Sequence, residues 1–186
     1  MAYLENAYRN NLHKFKGALL KLYLNLHGCK VGKKLKCKRW PIFRITPKGN
    51  IIIGDHVTIG YHITFEARPT GSIVIGDHVL LSQNVLISSS REVKISDWCG
   101  VSENVSIRDQ MHMMQKGKPY LSQRNISEPV SIGKDVWIGA GSIILMGSRI
   151  ADSVVIGANS VISGKLQTEE DGIYSGNPPE LVGKRK

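Results

Sequence analysis

Closely spaced cysteines are missing from this sequence. The three present, Cys29, Cys37 and Cys99, are odd in number and form no near pair. That argues against a disulfide framework and against a cysteine zinc site. Aromatic residues are scarce, at 6% of the chain, so a thin core lined by aliphatics is expected. No apolar run approaches the roughly 20 residues that cross a bilayer. The longest, residues 18–26, is interrupted by Lys21, which also argues against a cleaved leader. Acids are nearly absent from residues 1–48, where Glu5 alone faces nine lysines and three arginines. A reducing cytoplasmic setting is expected, with the inner face of a membrane as an alternative location.

The chain has 186 residues, 41% of them apolar. That is enough for one domain with a continuous core and a short appendage. Its formal charge is +10, and the excess sits almost wholly in residues 1–48. Such a balance attracts phosphates, acidic substrates, nucleic acid or an anionic membrane. No nucleic-acid-binding motif accompanies it, so nucleic acid is not an expected partner.

Residues 4–26 read as one amphipathic helix. Tyr8, Leu12, Phe15, Leu19, Leu22 and Leu26 recur at spacings of four and three, which places them on one stripe. Gly28 supplies a stop. Two fates are open for the stripe: packing on the end of the domain or on a neighbouring subunit, or contact with an anionic membrane surface helped by Lys14, Lys16 and Lys21.

Beyond residue 30 the period becomes six. The hexads open on Val31, Cys37, Phe43; Ile53, Ile59, Phe65; Ile75, Leu81, Ile87; Ile95, Val101, Ile107; Ile132, Ile138, Ile144; and Ile150, Ile156, Ile162. Every opener is apolar, and Gly often follows. The fourth position favours His, Asn, Asp or Gly (His56, His78, Asn84, Asn104, Asp135, Gly141, Asn159), types that tolerate a positive φ at a tight corner. Three hexads make a coil, and stacked coils bury together what one cannot bury alone. The expected class is all-β: a single-stranded parallel β-helix of about six coils behind an N-terminal α-helix. Residues 1–28 form the helix, 29–168 the repeats with a loop inserted at 108–131, and 169–186 a tail.

The hexads resemble those of the left-handed β-helix hexapeptide-repeat acyltransferases, and the expected handedness comes from that resemblance. Residues 129–141, Pro-Val-Ser-Ile-Gly-Lys-Asp-Val-Trp-Ile-Gly-Ala-Gly, and 172–179, Gly-Ile-Tyr-Ser-Gly-Asn-Pro-Pro, look like distinctive segments of the sugar O- and N-acetyltransferase branch.

First openers of successive coils lie 22, 22, 20, 37 and 18 residues apart, and every excess over 18 follows the third hexad. All insertions therefore leave from one corner, and a rigid scaffold carries function on such loops. The longest begins Arg108-Asp109-Gln110-Met111-His112. Acyl transfer from a thioester to a hydroxyl needs a base for the hydroxyl proton and a donor for the tetrahedral oxyanion. Imidazole suits the first task, and His112 stands where the resemblance implies the catalytic histidine. Relatives often carry several histidines there; here Gln110 and Met111 flank a single one. Asp109, Glu128 or a backbone carbonyl could orient the ring.

Alternation with Val136 and Ile138 turns Trp137 outward, either to a subunit interface or to the wall of a pantetheine cleft. The resemblance implies acetyl-CoA as donor in a cleft between subunits of a homotrimer, with Ala140, Ser142 and Ala158 along it and Lys165 near the phosphates. The backbone N–H of Gly139 or Ala140 is the candidate oxyanion donor. Asn84 and Ser88, on the coil below His112 and expected to approach the same corner, are candidate acceptor contacts, although Asn84 also suits a plain corner. Tyr120 and Arg124, on the long loop, are placed to close over a saccharide.

The expected reaction is acetyl transfer to a hydroxyl of a sugar or glycan precursor, with His112 as general base, Asp109 as its partner, and no metal. A sugar amine is the alternative acceptor. A silent scaffold is weaker. So is a zinc carbonic-anhydrase-like site, because His56, His62 and His78 all fall on corner positions.

Overall fold

The computed structural model describes residues 2–186, with side chains described from Ala7 onward. A helix, Ala2–Leu26, precedes a stack of short parallel strands. The strands form three faces. The first and third hold six strands each; the second holds seven parallel strands and a closing antiparallel one, Glu180–Lys184. Six complete coils are followed by a partial seventh, begun by the Arg149–Gln167 bridge and continued where Ile173 and Tyr174 pair with Val155 and Ile156.

The ladder register follows the hexads. Val31, Ile53, Ile75, Ile95, Ile132 and Ile150 stack on the first face through successive parallel pairs. Sixteen of the eighteen openers are buried, and Val31 and Phe43 pack partly buried against the same core. Parallel strands about 4.8 Å apart thus line a continuous aliphatic column, which supplies most of the burial energy at about 25 cal/mol per Å² of apolar surface.

The corners explain the polar fourth position. On the first corner, between first and second faces, Lys34, His56, His78, Trp98, Asp135 and Ser153 all have φ between 53° and 64°. On the second corner His62, Asn84, Asn104, Gly141 and Asn159 do the same, with φ of 52–71°. The histidines are corner residues: the rings of His56 and His78 stack at 4.5 Å, and His78 and Trp98 at 3.9 Å. Among the described residues no group of three or more His, Cys, Asp or Glu is arranged to hold a metal. A further device sits at the third hexad position. The carboxylates of Asp55, Asp77, Asp97 and Asp152 each accept a backbone N–H from the coil before, at 2.6–2.9 Å.

The helix caps the first coil, but not through the expected stripe. Leu20 and Leu24 are 0% and 1% exposed, whereas Tyr8, Phe15, Leu22 and Leu26 are 57–77% exposed. The packing face is set by Gly17, where any Cβ would overlap the Leu35 carbonyl. Backbone meets backbone there, and this admits Leu20 and Leu24 to the open end of the core. The Tyr8–Leu26 stripe lies on the opposite arc of the helix and faces outward. Gly28, with φ 76°, ends the helix, and Cys29 N–H donates back to the Leu24 carbonyl at 3.0 Å, a glycine-terminated cap. No described helix is long and apolar enough to cross a membrane.

Candidate active site

The third corner, between third and first faces, carries the large insertion. Gln110–His112 and Asn125–Ser127 pair antiparallel, with His112 opposite Asn125, so the insertion is an ordered hairpin. Its far end is a 3-10 turn, Tyr120–Ser122. Gln123 ties that end together: its side-chain oxygen accepts the Gln115 N–H at 2.7 Å, and its amide donates to the carbonyls of Gln115 and Lys118 at 3.2 and 3.0 Å.

His112 is exposed on this hairpin. Tyr120 meets its ring edge-on, with centroids 5.2 Å apart and planes at 86°. Arg124 lies across the hairpin, where its carbonyl accepts the Met113 N–H at 3.0 Å and its Nε contacts Met113 Sδ at 3.3 Å. Three of the expected residues, His112, Tyr120 and Arg124, therefore stand together. No described side chain or carbonyl hydrogen-bonds the His112 ring.

Asp109 does not touch that ring. It is fully buried, and its carboxyl accepts the Ser89 hydroxyl at 2.8 Å and the Ser90 and Arg91 N–H groups at 2.7 Å each. The expected His112 partner is instead the anchor of the hairpin root. Gln110 adds to that anchor. It donates to Ser88 Oγ at 3.0 Å and pairs with the Ser90 hydroxyl. Glu128 closes the other strand of the root, its N–H donating to the Asp109 carbonyl at 3.0 Å. Ser88 is therefore buried beneath the hairpin, within its root. Sequence reasoning missed Gln110 and Gln123 as clamps, since a lone glutamine in a loop carries no periodic signal.

The second face and second corner gather a separate group. Trp137 points outward, 56% exposed, with its indole N–H donating to Ser102 Oγ at 3.0 Å. The Gly139 N–H is committed to the Ile156 carbonyl at 2.7 Å. The Ala140 N–H donates to no described group, and the Ala140 carbonyl accepts the Asn159 N–H at 2.8 Å. Ala158 stacks on Gly139, where an added Cβ would approach the Ala158 nitrogen to 2.6 Å. Asn84 belongs to this corner too, its amide donating to Asn104 Oδ1 at 3.2 Å. In one chain Asn84 is thus one face away from His112, and not at the same corner as expected. Ser142 departs from expectation as well. It is fully buried and its hydroxyl donates to the Gly157 carbonyl at 2.9 Å, so it braces the coil and lines no cleft. Lys165 is exposed beyond the last third-face strand, Val161–Ile162. Lys184 and Arg185 are paired with Glu169 and Asp135, each at 2.9 Å.

Burial pushes the thiols of Cys37 and Cys99 up to about 11. Neither offers a thiolate nucleophile at neutral pH.

Residues 129–164 match the bacterial transferase hexapeptide (six repeats) family. A protein of Escherichia coli (strain K12), WbbJ, named for O-acetyl transfer in lipopolysaccharide biosynthesis, is 31% identical over 154 residues, covering 78% of this chain and 77% of that protein. The chain belongs to the hexapeptide-repeat transferase family. Among solved structures, a maltose O-acetyltransferase from Clostridium difficile 630 is similar, with a TM-score of 0.63, 25% identity, and coverage of 89% of this chain and 74% of that one. The N-acyltransferase AntD from Bacillus cereus, solved with dTDP and 3-hydroxybutyryl-CoA, shares the fold, with a TM-score of 0.69, 20% identity, and coverage of 89% and 88%.

Proposed function

We propose that this hexapeptide-repeat transferase moves an acetyl group from acetyl-CoA to a hydroxyl of a sugar or glycan precursor, with His112 as general base. The observation that carries the reading is the placement of His112 on a clamped hairpin at the third corner, beside Tyr120 and Arg124. The name of the E. coli relative supports the acceptor class, and the CoA ester in the AntD complex supports the donor.

In this reading an imidazole nitrogen of His112 takes the acceptor hydroxyl proton as the oxygen attacks the thioester carbonyl. The tetrahedral oxyanion forms at the Ala140 N–H, the one of the two candidate donors whose hydrogen is uncommitted. The C–S bond then breaks, and the imidazolium returns the proton to the departing CoA sulfur. Transfer is direct, in keeping with the buried thiols. Asp109 acts as a positioning residue through the hairpin root.

Because His112 and the group of Trp137, Ala140 and Ala158 stand on different corners of one chain, we infer that a second copy brings its second corner to the His112 hairpin. A homotrimer closes three such sites. Lys165 then stands near the CoA phosphates, and Asn84 and Tyr120 border the acceptor.

Thiol release from acetyl-CoA, measured across a panel of sugars, amino sugars, and nucleotide- and lipid-linked sugars, tests the reading. His112→Ala is expected to lower kcat by about 10²–10⁴-fold with unchanged folding. Wild-type turnover by that variant removes the base assignment. An amino sugar as the only productive acceptor replaces the hydroxyl reading with N-acetylation.

A further inference from the structure

A cavity of about 680 Å³ lies between the N-terminal helix and the first corner, and it shares no residue with the candidate active site. Its wall carries Lys14 and Lys21 from the helix, Lys34 and Lys36 from the first coil, and His56 and His78 from the next two. Among the described residues no carboxylate lines it. The carboxylates of the same corner, Asp55 and Asp77, are turned to the backbone, accepting the Lys33 and Asp55 N–H groups at 2.6 Å. None of the four lysines forms an ion pair among the described residues. Lys21 is fixed in place by donating to the Gly32 carbonyl at 2.9 Å, and two of its three N–H donors remain free.

The arrangement is built by the fold. Lys34, His56 and His78 hold the same left-handed corner position on consecutive coils, 22 residues apart, and the two rings stack in parallel. Gly17, with its close approach to Leu35, brings the helix lysines over that ladder. Gly17, Ala18 and Leu35 supply an apolar side to the cavity. The surrounding field is positive. Next to the cavity, His13 is held below its ordinary pKa by burial and then by Lys38, Lys16, Arg9 and Lys36. Residues 1–48 hold a net +11 while the rest of the chain is close to neutral. Converging cations with no counter-charge among the described residues, in a concavity of small-ligand size, recognise phosphate oxygens.

We propose that this cavity binds a phosphate-bearing small anion, with the phosphates on Lys14, Lys34 and Lys36 and the remainder of the ligand against Gly17, Ala18 and Leu35. The same chemistry is offered by a soluble organic diphosphate and by a phospholipid headgroup, and the test separates them.

Titration calorimetry of the full chain with inorganic pyrophosphate and with uridine diphosphate is the measurement. Both are expected to bind, more weakly as salt rises. The double variant K14A/K34A is expected to lose about tenfold or more in affinity, while R44A, on the third corner, binds as wild type. H112A is expected to keep full binding while losing acyl transfer, so failure of the catalytic reading leaves this one standing. Vesicles of phosphatidylcholine and phosphatidylglycerol, three to one, are then added. Competition with pyrophosphate in the wild type identifies a headgroup as the source, and lack of competition identifies a soluble ligand. Absence of diphosphate binding by the folded wild type overturns the proposal, as does unchanged binding by K14A/K34A. Vesicle binding that F15E/L22E abolishes and K14A/K34A retains, with no diphosphate binding, assigns the basic charge to the exposed helix stripe and overturns it too.

Discussion

Asp109 brings a carboxyl group into the wall of the solenoid and surrounds it with three donors, from Ser89, Ser90 and Arg91. An asparagine of the same size keeps one acceptor and turns an NH2 toward a backbone N–H. Asp109→Asn is therefore expected to lower unfolding free energy by about 1–3 kcal/mol, the usual cost of an orphaned buried donor. Denaturant titration measures that loss. The hairpin root should also loosen, so kcat falls while KM for acetyl-CoA stays at its wild-type value. A purely structural role leaves kcat of the folded fraction unchanged. The sequence offered Asp109 as a neighbour of His112, which is true along the chain. Only the fold shows that the residue turns inward at the end of a third-face strand while His112 turns out along the hairpin. A single aspartate next to a histidine has no periodicity from which that difference could be read.

At the scale of elements, legibility tracked regularity. The hexad openers recur with strict spacing, so the ladder register and the corner positions were both readable, and the observed pairings of Val31 with Ile53 and Ile132 with Ile150 follow them. The helix was readable as a helix, but its packing face was not. Apolar periodicity selects the widest stripe, here Tyr8 to Leu26, whereas docking was decided by where two backbones can come closest. That place is Gly17, and the Leu20–Leu24 arc beside it is narrower but buried. Gly17→Val is expected to push the helix off the first coil and forfeit the burial of both leucines, worth about 1.5–3 kcal/mol each. Limited trypsin digestion checks this. Cleavage within residues 14–38 should accelerate at least several-fold, with the repeat region left intact. Unaltered protection of that segment refutes the close-approach account.

The whole molecule is a column in which each coil contacts chiefly its two neighbours. Its ends differ. The helix closes one end with Leu20 and Leu24, and the antiparallel strand Glu180–Lys184 closes the second face at the other. Opening should therefore begin at the ends and move inward. Hydrogen exchange is expected to be slowest for amides such as Leu81, Val101 and Ile138 on the central second-face strands. Removal of residues 180–186 should speed exchange at Ile173 and Val155 about tenfold or more and leave the first three coils unaffected. Uniform acceleration along the column contradicts this one-dimensional picture. The second-corner group and His112 stand apart within one chain, a separation the hexad spacing alone did not reveal.

Every added residue enters this chain at the third corner. The three stacked ladders pass through that seam without a break, even where Ile95 meets Ile132 across 37 residues of sequence. Descendants of such a sequence can lengthen, shorten or rewrite the seam while inheriting the column unchanged. The seam is also where Tyr120 and Arg124 lie, so under the proposed function a change of accepted molecule asks for no new fold.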